Sequence, residues 1–178
     1  MKKLFKYIII GMLILLTGFM LQKIGKGYIE RKDAETRIQT LPNVLFKSLS
    51  KTPVNLHDFN QTTPLVIIYF HPECEHCRYE AQEIGQNAPA FHHFQLVMIT
   101  PDDSLQRVEK FCSEYHLWEL ENLEILLDTE NQFKKVFGNA VIPSVYIYAT
   151  NRKLIKNFFG ETKPEAIIHA TKNSLTSN

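Results

Sequence analysis

Apolar positions fall in one long block near the N-terminus and then in a series of short blocks separated by polar and turn residues. The long block, Tyr7 to Leu21, follows Lys2, Lys3 and Lys6, a layout shared by signal peptides and signal anchors. A membrane span needs roughly 17 to 25 apolar residues, which the block reaches once Leu4, Phe5 and Ile24 are counted and Lys6 and Lys23 snorkel. No small-residue cleavage site and no lipid-accepting cysteine follow it, so residues 1–24 are expected to be an uncleaved transmembrane anchor. Residues 25–42 are mainly polar, helix-compatible over 30–37, and are expected to form a stalk ending at Pro42. The folded domain is then expected over 43–178. Lys23, Lys26, Arg31 and Lys32 beyond the block weaken the positive-inside asymmetry that would orient it.

The short blocks alternate between two periods. Residues 44–49 and 52–56 read as a hairpin around a polar turn, and Leu65 to Phe70 as a strand buried on both faces, being apolar throughout and β-branched or aromatic in most positions. A helix is predicted from about Cys74 to Asn87, stopped before Pro89, and a second buried strand over 94–100. Asp102 or Asp103 is the predicted cap of the next helix, whose Leu105, Val108, Cys112 and Tyr115 share one face. Trp118 and the phenylalanines are read as core. A strand over 123–127, a short helix from Asp128-Thr129-Glu130 through Phe137 with Gly138 or Asn139 ending it, a hairpin of 144–148 with 153–159, and a helix over 164–174 complete the pattern. Strand, helix, strand implies a right-handed parallel crossover, and the closing hairpin makes the sheet mixed. The fold class expected is α/β, with helices on both faces of a mixed sheet.

Composition narrows the function more than the fold. With 178 residues, 44% apolar and 22% charged, the chain is an ordinary globular domain plus an extension. The net charge of +1, with no basic block beyond the N-terminus, argues against a nucleic-acid partner.

Three cysteines are too few for a disulfide scaffold, but Cys74 and Cys77 stand three apart where a buried strand gives way to a helix. There the first helical N–H groups have no internal partner and the helix dipole favours an anion, so a Cys74 thiolate is stabilised. Only the thiolate attacks disulfides, and Cys77, one turn further on, is placed to resolve a mixed disulfide formed at Cys74. His76 adds a donor or a positive charge near the sulfur, whereas Glu73 and Glu75 oppose a second negative charge. The signs conflict, and with them the direction of electron flow. Cys112 falls on an apolar stripe and reads as a small core residue.

At this point the chain resembles the thioredoxin superfamily, and within it the TlpA/ResA-like group of membrane-anchored, outward-facing thiol–disulfide oxidoreductases, over roughly residues 43–172. The resemblance rests on C-x-x-C after a buried strand, on Glu80 three residues beyond Cys77, on an extra strand and helix before the second half, and on Ile142-Pro143-Ser144 before a strand. It implies that Pro143 is a cis-proline facing the cysteines, limiting metal binding and orienting the partner's chain. It also implies that Glu80 sits beside the cysteines and handles protons; read without the family, Glu80 is a solvated helix carboxylate. His76 and Pro72-Glu73 depart from the residues usual in the group, His76 towards its more oxidising relatives. The candidate catalytic set is therefore Cys74, Cys77, Pro143, Glu80 and His76, with no cofactor or metal required. The implied partners are disulfide- or dithiol-containing exported proteins, reduced rather than oxidised, with a place for an upstream membrane electron carrier. The implied location is a bacterial cytoplasmic membrane, crossed once, with the redox domain on the extracytoplasmic (periplasmic) side.

Other chemistries use the same residues less well. Structural zinc needs four ligands and His92-His93 are adjacent, while covalent haem would need histidine where Arg78 stands. A Sco-like copper site could draw on Cys74, Cys77 and one of His71, His76 or His169, and a peroxiredoxin-like peroxidase on the partial match at Pro72-Glu73-Cys74.

Overall fold

A computed structural model describes residues 2–139 and 141–175; the side chains of residues 2–5, 8–10, 26, 28–31 and 172–175 lie outside the described set. The chain opens with one helix, α1 (Lys2–Arg37), and continues β1 (Leu45–Ser48), β2 (Pro53–Asn55), β3 (Leu65–Tyr69), α2 (Glu75–Gln86), β4 (Gln95–Thr100), α3 (Leu105–Glu114), β5 (Leu123–Leu127), α4 (Gln132–Phe137), β6 (Ser144–Tyr148), β7 (Leu154–Phe159) and α5 (Pro164–Leu175).

Among the described residues, seven strands form one sheet in the order β2-β1-β5-β4-β3-β6-β7. β3, β4 and β5 run parallel, while β1 and β2 at one side and β6 and β7 at the other are antiparallel to their neighbours. β3 lies between β4 and β6 and is wholly buried, as its unbroken apolar run predicts. Its side chains alternate between two cores. Val66, Ile68 and Phe70 pack beneath α2, α3 and α5, and Leu65, Ile67 and Tyr69 pack on the opposite face against Phe133 and Phe137 of α4. Each such aliphatic side chain contributes about 1.5–3 kcal/mol by leaving water. This is the thioredoxin-like α/β fold, with helices on both faces of a mixed sheet.

Three local expectations are corrected. Ser104, not an aspartate, caps α3: its Oγ accepts from the Arg107 N–H, while the Asp102 carboxylate is occupied by the Arg107 guanidinium through two 2.7 Å bonds. α4 begins at Gln132 because Asn131 adopts φ 53, and the preceding Asp128 carboxylate accepts the N–H groups of Gln132 and Phe133. Trp118 is 49% exposed rather than core; a short 3-10 turn after α3 turns its ring outward, where Nε1 donates to Ser113 Oγ. Cys112 is fully buried, and its thiol is pushed up to about 12 by burial, with Glu109 adding to it.

The region expected to be a stalk is helical to Arg37, and its last part packs on the folded unit. Ala34, Ile38 and Leu41 are buried, Arg37 donates to the Lys135 and Val136 carbonyls at the end of α4, and the Leu154 N–H donates to Gln39 O. Among the described residues, no helix is long and apolar enough to cross a membrane. The span read from the sequence counts Leu4, Phe5 and Ile8 to Ile10, whose side chains lie outside the described residues.

Candidate active site

Residues 70–74 lead from the end of β3 into α2. The Phe70 N–H still bonds the β4 edge through Ile99 O, and Pro72 then breaks the strand so that Cys74 becomes the N-cap of α2, with extended backbone at φ −78 and ψ 123. Cys74 offers no side-chain cap to the helix, and its carbonyl accepts the first helical N–H, from Arg78. Its sulfur is partly exposed beside the positive end of the helix, the place an anion favours.

Cys77 lies a turn deeper and is 2% exposed. Burial pushes its thiol well above the ordinary range, and the nearby Cys74 sulfur and Glu80 push the same way, while the His71 backbone N–H pulls it down. The exposed sulfur is thus the one a partner can reach, and the buried one keeps its proton.

The Ile142–Pro143 peptide is cis, as the family resemblance implies, and the Cys74 sulfur lies 4.0 Å from the Ile142 carbonyl oxygen. Pro143 itself is buried, and Gly160 donates its N–H to the Pro143 carbonyl at 2.9 Å.

Glu80 is not a solvated helix carboxylate. It lies on the inner stripe of α2 with Cys77, Ala81 and Ile84, and neither oxygen holds a well-formed hydrogen bond. Burial pushes its carboxyl up to about 8; the Thr162 backbone N–H pulls the other way and the Glu161 charge adds to the rise.

His76 is engaged by the loop that follows β7. Its ring is exposed, and Nδ1 meets the Glu161 carboxylate at 2.9 Å. Glu161, Gly160 and Thr162 carry no motif in the sequence and were not legible as site residues. Gly160 sits at φ 88, a left-handed conformation that glycine adopts without strain.

His71 closes the other side. Its Nδ1 accepts the Glu73 N–H at 3.2 Å, which leaves Nε2 as the protonated nitrogen of the neutral ring, 4.0 Å from Asp102. Arg107 holds the Asp102 carboxyl below its ordinary range. Among the described residues, no three His, Cys, Asp or Glu side chains are grouped to hold a metal ion. His71, His76 and Cys74 are each turned to different partners.

The arrangement is two thiols of unequal access, a neighbouring carboxyl able to exchange a proton near neutral pH, and a polar backbone ledge over the exposed sulfur.

Three kinds of similarity bear on this geometry. Among curated proteins, no sequence matches this chain significantly. Solved structures match over most of the chain: DsbF of MTB, in its mixed oxidized and reduced forms, is 18% identical with a TM-score of 0.63, covering 77% of this chain and 96% of that one. StoA from Bacillus subtilis is 16% identical with a TM-score of 0.58, covering 74% and 98%. Peroxidoxin BcpB from Mycobacterium tuberculosis is 16% identical with a TM-score of 0.62, covering 75% and 94%. At these identities the likeness is one of fold. The AhpC/TSA family pattern matches residues 38–157, well over half of the chain, and starts within the segment that packs against α4. The chain belongs to the AhpC/TSA family.

Proposed function

We propose that this protein is a thiol–disulfide oxidoreductase that reduces disulfides in exported proteins, with Cys74 as the attacking thiol and Cys77 as the resolving one. The observation that carries the reading is the difference in access between the two sulfurs: Cys74 is partly exposed at the start of α2 under the Ile142 carbonyl, and Cys77 is buried behind it.

The Cys74 thiolate attacks one sulfur of the partner disulfide, forming a mixed disulfide and releasing the first partner thiolate, which takes the Glu80 proton. Cys77 then gives its proton to the Glu80 carboxylate and attacks the Cys74 sulfur. The Cys74–Cys77 disulfide forms, the second partner thiolate leaves, and two electrons have passed to the partner. Glu80 suits this step because its carboxyl, at about 8, can both take and return a proton near neutral pH. The backbone around Pro143 forms the ledge against which the partner's chain lies. Residues 1–24 anchor the protein in the membrane, and an upstream membrane carrier returns the electrons.

The test uses the full-length chain in detergent, reduced and mixed with a disulfide-bonded protein such as insulin. Cys74→Ser should abolish reduction, and Cys77→Ser should accumulate mixed disulfides. Turnover by the Cys74 variant overturns the mechanism. Faster reaction of the reduced protein with hydrogen peroxide than with the protein disulfide replaces it by a peroxidase reading, for which the similarity to BcpB prepares the ground. Stoichiometric copper retained through purification and lost with either cysteine replaces it by a copper-handling one.

A further inference from the structure

The loop between β7 and α5 touches three of the candidate site residues in succession. The Gly160 N–H donates to Pro143 O, Glu161 takes the His76 ring, and the Thr162 backbone acts on Glu80. The loop is itself fixed: Gly160 sits at φ 88, Thr162 is buried, and the Thr162 hydroxyl donates to the Gly160 carbonyl at 3.1 Å. Glu161 is thus a residue held in place, and its Oε2 lies 2.9 Å from His76 Nδ1.

That contact decides what His76 does. The imidazole stands in the first turn of α2, two residues past Cys74, where a donor or positive charge could support the thiolate. A group that stabilises the Cys74 thiolate acts on the reduced form alone, because the disulfide carries no charge, and so makes the couple more oxidising. Here Nδ1 is engaged by a carboxylate whose own charge offsets any charge on the ring.

We propose that Glu161 is a positioning residue that withholds the His76 imidazole from the Cys74 sulfur and thereby biases the Cys74–Cys77 couple towards the disulfide, making the protein a stronger reductant. This rests on the oxidoreductase reading above and supplies its direction. It resolves the conflict of signs between His76 and its acidic neighbours in favour of reduction.

The measurement is the equilibrium of the full-length chain with glutathione, in which the Cys74–Cys77 disulfide and two glutathione thiols become the dithiol and glutathione disulfide. Two electrons and two protons pass, and free thiols are counted after an acid quench. Glu161→Ala frees the ring and should shift the equilibrium about tenfold towards the dithiol, equivalent to about 30 mV for a two-electron couple. Glu161→Gln, which keeps the size and a hydrogen-bond acceptor but not the charge, should give a smaller shift in the same direction. In a His76→Ala background neither Glu161 substitution should move the equilibrium further.

An unchanged equilibrium in Glu161→Ala and Glu161→Gln overturns the proposal. So does a shift that survives undiminished without His76, since Glu161 would then act as a bare charge. Both results leave the exchange chemistry standing. A wild-type protein that forms no Cys74–Cys77 disulfide with glutathione overturns the oxidoreductase reading instead, and this inference with it.

Discussion

On the face of the sheet covered by α2, Glu80 is 2% exposed and neither of its oxygens holds a well-formed hydrogen bond; on the face covered by α4, Asp128 is 2% exposed and accepts the N–H groups of Gln132 and Phe133 at 2.6 and 3.1 Å. Burial raises both carboxyls, but at Asp128 the two backbone donors and the Tyr69 hydroxyl pull back. Equal burial therefore yields two kinds of residue. Asp128 holds the first N–H groups of α4, in a region of stacked rings where the Phe133 ring centre lies 4.0 Å from that of Tyr69 and 4.2 Å from that of Phe137. Glu80 is left with a proton to exchange, beside two thiols. A buried acid without donors weakens the fold when it ionises, and a fold retains such a cost most readily where chemistry uses it.

The largest test of this contrast is the pH dependence of stability. In the folded protein Glu80 keeps its proton up to about 8, whereas in the unfolded chain it gives the proton up near its ordinary 4.5. Between those values the native state binds more protons, so stability falls as pH rises and levels off above the folded value. The fall attributable to Glu80 should be on the order of 5 kcal/mol. Glu80→Gln should remove it, seen as urea midpoints that no longer decline between pH 5 and 8; a decline identical to wild type would place Glu80 in contact with water.

Removing the satisfied acid should cost somewhat less and leave the chemistry alone. Asp128→Ala strands two helical N–H groups and should lower stability by about 3 kcal/mol at pH 7 in urea unfolding, with the glutathione equilibrium unchanged. A change in that equilibrium would show that the two faces are coupled.

The smallest effect concerns the third buried acid, Asp102, which a guanidinium satisfies. Arg107 is half exposed, so Arg107→Ala should lower stability only slightly at neutral pH. Since Asp102 is held below its ordinary 3.8, that contribution is present above the unfolded value and disappears as pH falls through the folded one. Unfolding measured at pH 7 and again below 3 should show the difference shrink.

What could be read from the sequence follows the same division between local and distant causes. The strands, the parallel core and the placing of Cys74 and Cys77 where a strand gives way to a helix were legible from adjacent residues, whereas the cis Ile142–Pro143 bond was implied only by the family resemblance. Helix starts were less so. Asp102 and Ser104 compete within three positions for the cap of α3, and only the reach of Arg107 back to Asp102 decides between them. The site beyond the motif was not legible at all: Glu161 meets His76 across 85 positions, and Glu80 reads the same in sequence whether it faces water or Cys77. The packing of Ala34 and Ile38 was hidden in the same way, since the polar residues around them resemble a free linker.

The docking of α1 has a mechanical meaning. Arg37 fastens the helix to the end of α4, and the helix runs without a break from there back through the apolar block. Twelve residues, Gln22 to Asp33, separate Leu21 from Ala34, a rigid post about 18 Å tall at the rise of an α-helix. Through that post the direction of the domain relative to the apolar block is set by the docking of Ala34, Ile38 and Arg37 rather than left to a free tether. A flexible glycine-serine insertion between Gln22 and Asp33 would free the domain from that direction without touching the cysteines.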